Sequence, residues 1–489
     1  MAGTRVSVLT KFIDWVNSDP IRIFWLAGMA GTGKTSIAVT LCRMLHDDPG
    51  IILGGTFFCS LSAGSVHRTE VRCILPTLAT SLASLSPEFA TALAANLKAD
   101  PRIAHKPVSL QVDPLLVKPL VELASSARPI VFVIDALDEC SNDGELAELL
   151  AAIADFETDA KVKFILTSRP EMHIRGTSIS DPNHNTILQL HTISEKEVTA
   201  DIRRYITGTL LTTVTSDTTW FTDGDIDVLV KLSHGLFIFA STALLYVRAR
   251  ENAKGRRERL CKMTSAAGAE SAALVSLDKI YELIVLEAAR SDAVDADELH
   301  ATQRVLACIL AARTLLSVQA LADLLGVEID DVRGALERLH SVIYMPSEDG
   351  IAGVRVLHAS FGDYILSRAA QNIRIPASLG DDILARGCLN VMAEHLHFNI
   401  AQVQNSHQGN GSTRLYIRLS LEYACLQWVF HVSELSTSST LDAVISKVIC
   451  SKFLFWLEVI STLGQVNRAT TMLILASTSV SCILGALRR

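Results

Sequence analysis

The chain has 489 residues, too many for one hydrophobic core, and at about 100–200 residues per domain it suggests three or so domains. Hydrophobic residues make up 49% of it and aromatics only 6%, which predicts a largely helical protein that is stable without staples. A net charge of −8 argues against a nucleic-acid binder that works by phosphate neutralisation. Ten scattered cysteines with no C-x-x-C pair read as reduced core thiols in a cytoplasmic protein, not a disulfide frame or zinc site.

The N-terminus, "MAGTRVSVLTKFIDW", has no long apolar run, so no secretory signal is expected. Up to about residue 185 short apolar runs alternate with longer amphipathic ones, the pattern of α/β construction. Strands are predicted at 23–26, 55–59, 130–134, 162–167 and 186–190, with helices between them, such as 35–45 and 70–83. Beyond His191 helices are predicted at 194–207, 225–232, 236–249 and 276–288, each opened by a turn containing Ser, Asp or Gly. The basic segment 252–268 reads as a solvated helix or linker, or as a patch for phosphates or lipids; interspersed glutamates and the lack of aromatics favour the former. From 303 to 366 three helices lead into two β-type runs, 341–345 and 354–357, and a further helix, an order that suits a winged helix. The remainder, from about Pro376, reads as helical with polar loops such as 402–413, and no repeat of 20–50 residues is present. The uncharged stretch 469–487 has the length of a membrane span, but its serines and threonines favour a buried terminal helix.

Chemistry concentrates in three strand ends. Gly28-Met29-Ala30-Gly31-Thr32-Gly33-Lys34-Thr35 matches G-x-x-x-x-G-K-[ST] in full, with Ser36 next. Glycines let backbone N–H groups wrap phosphate oxygens, and the helix that follows points its positive end at them. Lys34 supplies a point charge for the β and γ phosphates, and Thr35 a hydroxyl for Mg²⁺. In "PIVFVIDALDEC" an unbroken apolar strand delivers Asp135, placed to reach the hydrated Mg²⁺. Asp138 and Glu139 follow, where they would orient or deprotonate an attacking water; the alternative is that they merely favour a helix dipole. A third strand, "KVKFILTSRPE", ends in a polar and cationic tip where Arg169 would sense the γ-phosphate, unless Ser-Arg-Pro is an ordinary loop.

These residues resemble the NACHT branch of the STAND NTPases, signalling ATPases related to NOD-like receptors, and more narrowly the fungal proteins with a nephrocystin-type N-terminal NTPase region. The resemblance is carried by "GTRVSVLTKFIDWV", "IFWLAGMAGTGKTSIA", "GGTFFCS", "ILPTLATSLA", "VFVIDALDEC", "FILTSRPE", "HGLFIFASTA" and "VRVLHASFGDYIL", and covers about residues 3 to 370. Ala136 and Asp138 fit the family pattern of a tiny residue after the metal-binding aspartate and an acidic one two further on. The resemblance implies an ASCE-type parallel sheet of order 2-3-4-1-5 over 1–190, a helical domain over 191–300, a winged helix over 301–370 and further helices over 371–489. It implies that these parts close over ADP and open with ATP. It makes His358 the candidate for contacting ADP phosphates, although Ala359 departs from the His-Asp pair of better-known relatives. Gly235-Leu236-Phe237 stands where relatives carry Gly-Leu-Pro-Leu, and Gly3-Thr4-Arg5 is a candidate lining of the adenine pocket.

With no effector domain before Met1 and no repeat array behind the helices, the chain reads as a core switch or a truncated one. The expected cofactors are ATP/ADP and Mg²⁺. The expected partners are nucleotide and protein partners, with self-association on activation; neither nucleic acid nor a membrane is expected. No residue set suggests a second substrate, so a nucleotide-dependent switch in innate-immunity-like or incompatibility signalling, with slow ATP hydrolysis, fits better than a kinase. A nucleotide-stabilised scaffold and an AAA+ remodelling ATPase are the alternatives.

Overall fold

A computed structural model describes residues 3–60, 68–123, 128–156, 158–170, 185–212, 220–250, 252–266, 273–289, 296–346, 353–400, 417–435 and 439–479. The chain divides into two compact units, Met1–Ile280 and Tyr281–Arg489.

The first unit is built on five parallel strands: β1 (Ile23–Ala27), β2 (Ile52–Phe58), β3 (Ile130–Asp135), β4 (Val162–Ser168) and β5 (Asn185–Gln189). Their order is β2-β3-β4-β1-β5, the expected one. All of β1, β3 and β4 is buried, which explains why these strands read as unbroken apolar runs: a parallel sheet is covered on both faces. Successive side chains alternate between two cores. Phe24, Leu26, Val131, Val133 and Ile165 face helices α1 (Val6–Ser18) and α2 (Lys34–Asp47). Ile23, Trp25, Phe132, Ile134 and Phe164 face the other way, toward α3 (Ile74–Ala83) and α4 (Pro87–Ala99).

Helix α1 locks onto the sheet through Phe12, whose ring centroid lies 4.0 Å from that of Phe24, and through Trp15 at 5.3 Å from it. Lys163, a buried cation on β4, sits 4.5 Å from the Trp15 ring and donates to the carbonyls of Asp19 and Ile21 at the end of α1. Such pairing is what makes a buried ammonium tolerable.

The helix expected at 70–83 begins later. Val71–Cys73 forms a 3-10 turn, and α3 proper starts at Ile74. Pro76 is the reason: it lacks an N–H and its ring would strike the carbonyl four residues back, so it fits only in a first turn.

Beyond β5 the unit is helical, with Glu195–Leu211, Asp223–Ser233 and Phe237–Arg248. Ser194 caps the first of these, and Thr222 with Asp225 forms a capping box on the second. The first runs four residues past its expected end because Ile206 and Leu210 continue its buried stripe. Within the basic segment, Ala253–Ala266 is a helix; Lys254 and Lys262 are exposed, while two of its arginines find partners. Arg257 pairs with Asp225, and Arg259 donates to Tyr246 O at 2.8 Å and stacks over its ring.

The second unit contains helices Ala296–Ala311, Val318–Leu325 and Ile329–Arg338, then β6 (Ile343–Tyr344) and β7 (Arg355–Val356), which pair antiparallel. The two β runs are shorter than expected, two residues each. A short helix, Ala359–Asp363, precedes the long helices Ala377–His395, Leu419–Ser433 and Ser439–Thr462. Between the first two of these, Tyr423 Oη meets His431 Nε2 at 2.8 Å and His431 Nδ1 meets Asp381 Oδ1 at 2.7 Å, a buried polar chain. The polar loop 402–413 and residues 480–487 of the apolar stretch lie outside the described residues. Among the described residues no helix is long and apolar enough to cross a membrane.

Candidate functional site

The glycine loop leaves the carboxyl end of β1, where Gly28 N–H donates to Ser168 O of β4 at 3.1 Å. Gly31 and Gly33 have φ of +77° and +94°, left-handed conformations that other residues enter only with strain. Gly33 is the N-cap of α2 and offers no side chain to its first N–H groups. A Cβ built on Gly33 would meet nothing within 4 Å. Lys34 Nζ folds back onto the loop, donating to Gly28 O at 2.6 Å and Met29 O at 3.2 Å. Its pKa is lowered, chiefly by burial, with Asp138, Asp135 and Glu139 opposing. Thr35 and Ser36 are exposed.

Asp135 ends β3 at 1% exposure. Burial raises its pKa, opposed by the hydroxyls of Thr167 and Thr35 and by the Lys34 ammonium. Thr167, buried on β4, donates to Asp135 Oδ1 at 2.5 Å and accepts from Ala136 N–H at 3.0 Å, which fixes the carboxylate's orientation. Ala136 has φ +57°, so the turn after Asp135 is left-handed and a larger β-branched residue would strain it. The 3-10 turn Leu137–Glu139 follows. In it Asp138 pairs with Arg169, Oδ2 to Nε at 3.0 Å, and accepts from Arg169 N–H at 2.9 Å. Glu139 is half-buried at the end of the turn.

The loop is also held from behind. Ile238 N–H donates to Gly31 O at 3.1 Å. Arg5 Nη2 donates to Thr32 O at 3.2 Å, its guanidinium lies 5.0 Å from the Phe237 ring, and its N–H donates to Asp201 Oδ2 at 2.9 Å. Gly3-Thr4-Arg5 and Gly235-Leu236-Phe237 therefore share one locus behind the loop. His358 belongs to the second unit, where its Nδ1 accepts from Ser360 N–H at 3.1 Å and its ring caps Ala359–Asp363.

The structure thus brings Gly28–Thr35, Asp135, Asp138 and Arg169 to the carboxyl ends of neighbouring strands. Sequence reasoning undervalued Thr167 and Arg5. A threonine ending the strand beside the acidic one was the available signal for Thr167; Arg5 was marked only through Gly3-Thr4-Arg5 as a candidate lining of the adenine pocket, and its ties to Thr32, Asp201 and Phe237 had no local signal.

A parallel sheet of order 2-3-4-1-5, with a phosphate loop after β1 and an aspartate ending β3, defines a P-loop NTPase core. Residues 3–169 match the family described as Nephrocystin 3, N-terminal, and this segment is similar to that family's region. The chain is 24% identical to the vegetative incompatibility protein HET-E-1 of Podospora anserina, over 93% of this chain and 34% of that protein. It spans about a third of that relative's length. Among solved structures it is similar to a STAND protein with a tetratricopeptide repeat sensor from Pyrococcus horikoshii, at TM-score 0.41 and 11% identity over 96% of this chain and 64% of that one. It is also similar to Cdc6p from Pyrobaculum aerophilum, at TM-score 0.36 and 10% identity over 78% and 94%.

Proposed function

We propose that the chain is a Mg²⁺-dependent ATP-binding switch that hydrolyses its nucleotide slowly. The observation that carries this reading is Asp135, a carboxylate buried at a strand tip beside the uncapped start of α2. A carboxylate withdrawn from water without a full counter-charge is costly, and a divalent cation removes that cost. The residues fit such a cation: Thr35 and Asp135 would hold Mg²⁺, which when bound supplies charge neutralisation at the phosphates. The loop N–H groups of 28–36 and Lys34 would hold the β and γ phosphates. Asp138 or Glu139 would orient or deprotonate the attacking water, and Arg169 would sense the γ-phosphate.

The switch reading rests on the back of the loop. Through Arg5, Phe237 and Ile238 the loop is bonded to helical segments, so a change in its occupancy alters contacts with them. A ligand shifts such an equilibrium only by its differential affinity for the two states. Residues 301–370 are proposed as a winged helix, and His358 as a group that stabilises the ADP state. His358→Ala is then expected to purify with less ADP than the parent. By the similarity to an incompatibility protein, the signalling proposed is of that kind, with protein partners and self-association.

A second reading, a nucleotide-stabilised scaffold, is favoured by one observation: Asp138 is already neutralised by Arg169. Mass spectrometry of co-purified nucleotide, parent against Lys34→Ala, tests binding. Bound ATP or ADP in the parent and none in the variant is expected; equal content in both overturns the nucleotide reading. Multiple-turnover hydrolysis with and without Mg²⁺ then separates switch from scaffold.

A further inference from the structure

We propose that Cys59 and Cys140 form a reversible disulfide, driven by peroxide-class oxidants, that staples the acidic turn of the candidate site to the tip of β2. The two sulfurs lie 3.5 Å apart although 81 residues separate them in sequence. Each thiol sits on an anchored segment. Cys59 follows β2 directly, and its N–H donates to Asp135 O at 3.0 Å. Cys140 closes the 3-10 turn that bears Asp138 and Glu139; its N–H donates to Leu137 O at 3.2 Å, and Ser141 N–H donates to Thr69 O at 2.9 Å. A disulfide needs sulfurs about 2.0 Å apart, a closing movement of about 1.5 Å that side-chain rotation and a small shift of the turn can supply.

Exposure sets the order of events: Cys59 is buried and Cys140 half-buried, so oxidant reaches Cys140 first. Its sulfur attacks one peroxide oxygen, giving the sulfenic acid and one water. The Cys59 sulfur then attacks the sulfenic sulfur, forming the S–S bond and releasing a second water; two thiols are oxidised and one peroxide is reduced. Thiol reductants reverse the step by exchange.

The consequence rests on the nucleotide reading above, but the bond itself does not. The staple holds Cys140 against the end of β2 and so removes the freedom with which Asp138 and Glu139 reorient. The glycine loop, Thr35 and Asp135 stay as they are. Oxidation therefore slows hydrolysis severalfold and leaves nucleotide binding in place.

The test treats the reduced full chain with hydrogen peroxide, blocks remaining thiols, and maps non-reduced peptides by mass spectrometry. Hydrolysis and Mg²⁺-nucleotide binding are measured on the same samples. The expected result is a Cys59–Cys140 linked peptide lacking two hydrogens, severalfold slower hydrolysis restored by dithiothreitol, and no response in Cys140→Ser or Cys59→Ala. Recovery of both cysteines as blocked thiols or unlinked oxides overturns the proposal. So does a linked peptide with unchanged hydrolysis, or equal peroxide inhibition of the parent and both variants. If the reduced parent neither binds nor hydrolyses nucleotide, the nucleotide reading fails, and the linked peptide alone decides the staple.

Discussion

Arg169 grips Asp138 at two points, its Nε 3.0 Å from Oδ2 and its backbone N–H 2.9 Å from Oδ1. With its side chain only 7% exposed, Asp138 is held on the dry side of this pair. Through this pair the end of β4 restrains the turn after β3. A γ-phosphate would compete with Asp138 for the same guanidinium.

That competition predicts an asymmetry between nucleotides. Arg169→Ala should leave ADP affinity within about twofold and weaken ATP by about tenfold or more, since 1.4 kcal/mol is a factor of ten. Calorimetric titration of both nucleotides checks it. Equal weakening of ADP and ATP would mean that Arg169 only keeps Asp138 in place.

The two left-handed glycines of the loop should fail differently. A Cβ on Gly31 would lie 2.2 Å from Ile238 Cγ2, whereas one on Gly33 meets nothing. Gly31→Ala therefore combines backbone strain with a clash against Phe237–Arg248, and should cost about 2–4 kcal/mol of stability. Gly33→Ala carries only the strain, about 1–2 kcal/mol, yet places it at the N-cap from which α2 presents its first N–H groups. Thermal melting beside nucleotide binding distinguishes them: Gly33→Ala should stay folded and lose nucleotide.

Much of this was legible in the chain because the signals are local. Apolar runs such as Ile130–Ile134 mark buried parallel strands, and the spacing from Gly28 to Thr35 specifies a backbone cradle. Asp135 was found because it ends such a run. What could not be read depends on residues far apart in sequence. Arg5 reaches Asp201 across 196 positions, and Thr167 reaches Asp135 across 32. The late start of α3 had a local cause, Pro76, which periodicity alone does not weigh. In β6 and β7, two paired residues each leave too little alternation to set boundaries.

Asp135 sets a conflict between stability and binding whose sign can be worked out. Its folded pKa is raised, mainly by burial, above the unfolded value. Between those two values the native carboxyl holds a proton that the unfolded one has released. Without metal, stability therefore falls as pH rises through that window, and at neutral pH the buried charge is destabilising. Asp135→Asn keeps an acceptor for Thr167 and removes the charge. Metal-free Asp135→Asn should melt above the parent at pH 7, by about 2–4 °C per kcal/mol relieved, with the gain shrinking in acid. It should also lose Mg²⁺-dependent nucleotide binding. A lower melting temperature at pH 7 would show that the charge is already compensated.

Arg5 presents the same conflict in a cation. It is 6% exposed, burial lowers its pKa against the pull of Asp201 and Glu197, and its Nε and Nη1 are buried without a hydrogen-bond partner. In its favour stand one charged hydrogen bond to Thr32 O, about 1.5–3 kcal/mol, and stacking on Phe237, about 2 kcal/mol when desolvated. Against it stand two unsatisfied donors at about 1–3 kcal/mol each. Arg5→Met fills the same space, and Asp201 keeps Arg204 Nη1 at 3.1 Å as its counter-charge. The opposing contributions nearly cancel, so Arg5→Met should leave nucleotide-free stability within about 1 kcal/mol. Its cost should fall on the loop instead: without the tie to Thr32 the cradle loses its rear support, and ATP and ADP should weaken together, by about tenfold. Melting with and without Mg²⁺ and nucleotide measures both effects. A large loss of metal-free stability with binding unchanged would make Arg5 a structural strut, and a guanidinium buried at such expense would then need no role at the loop.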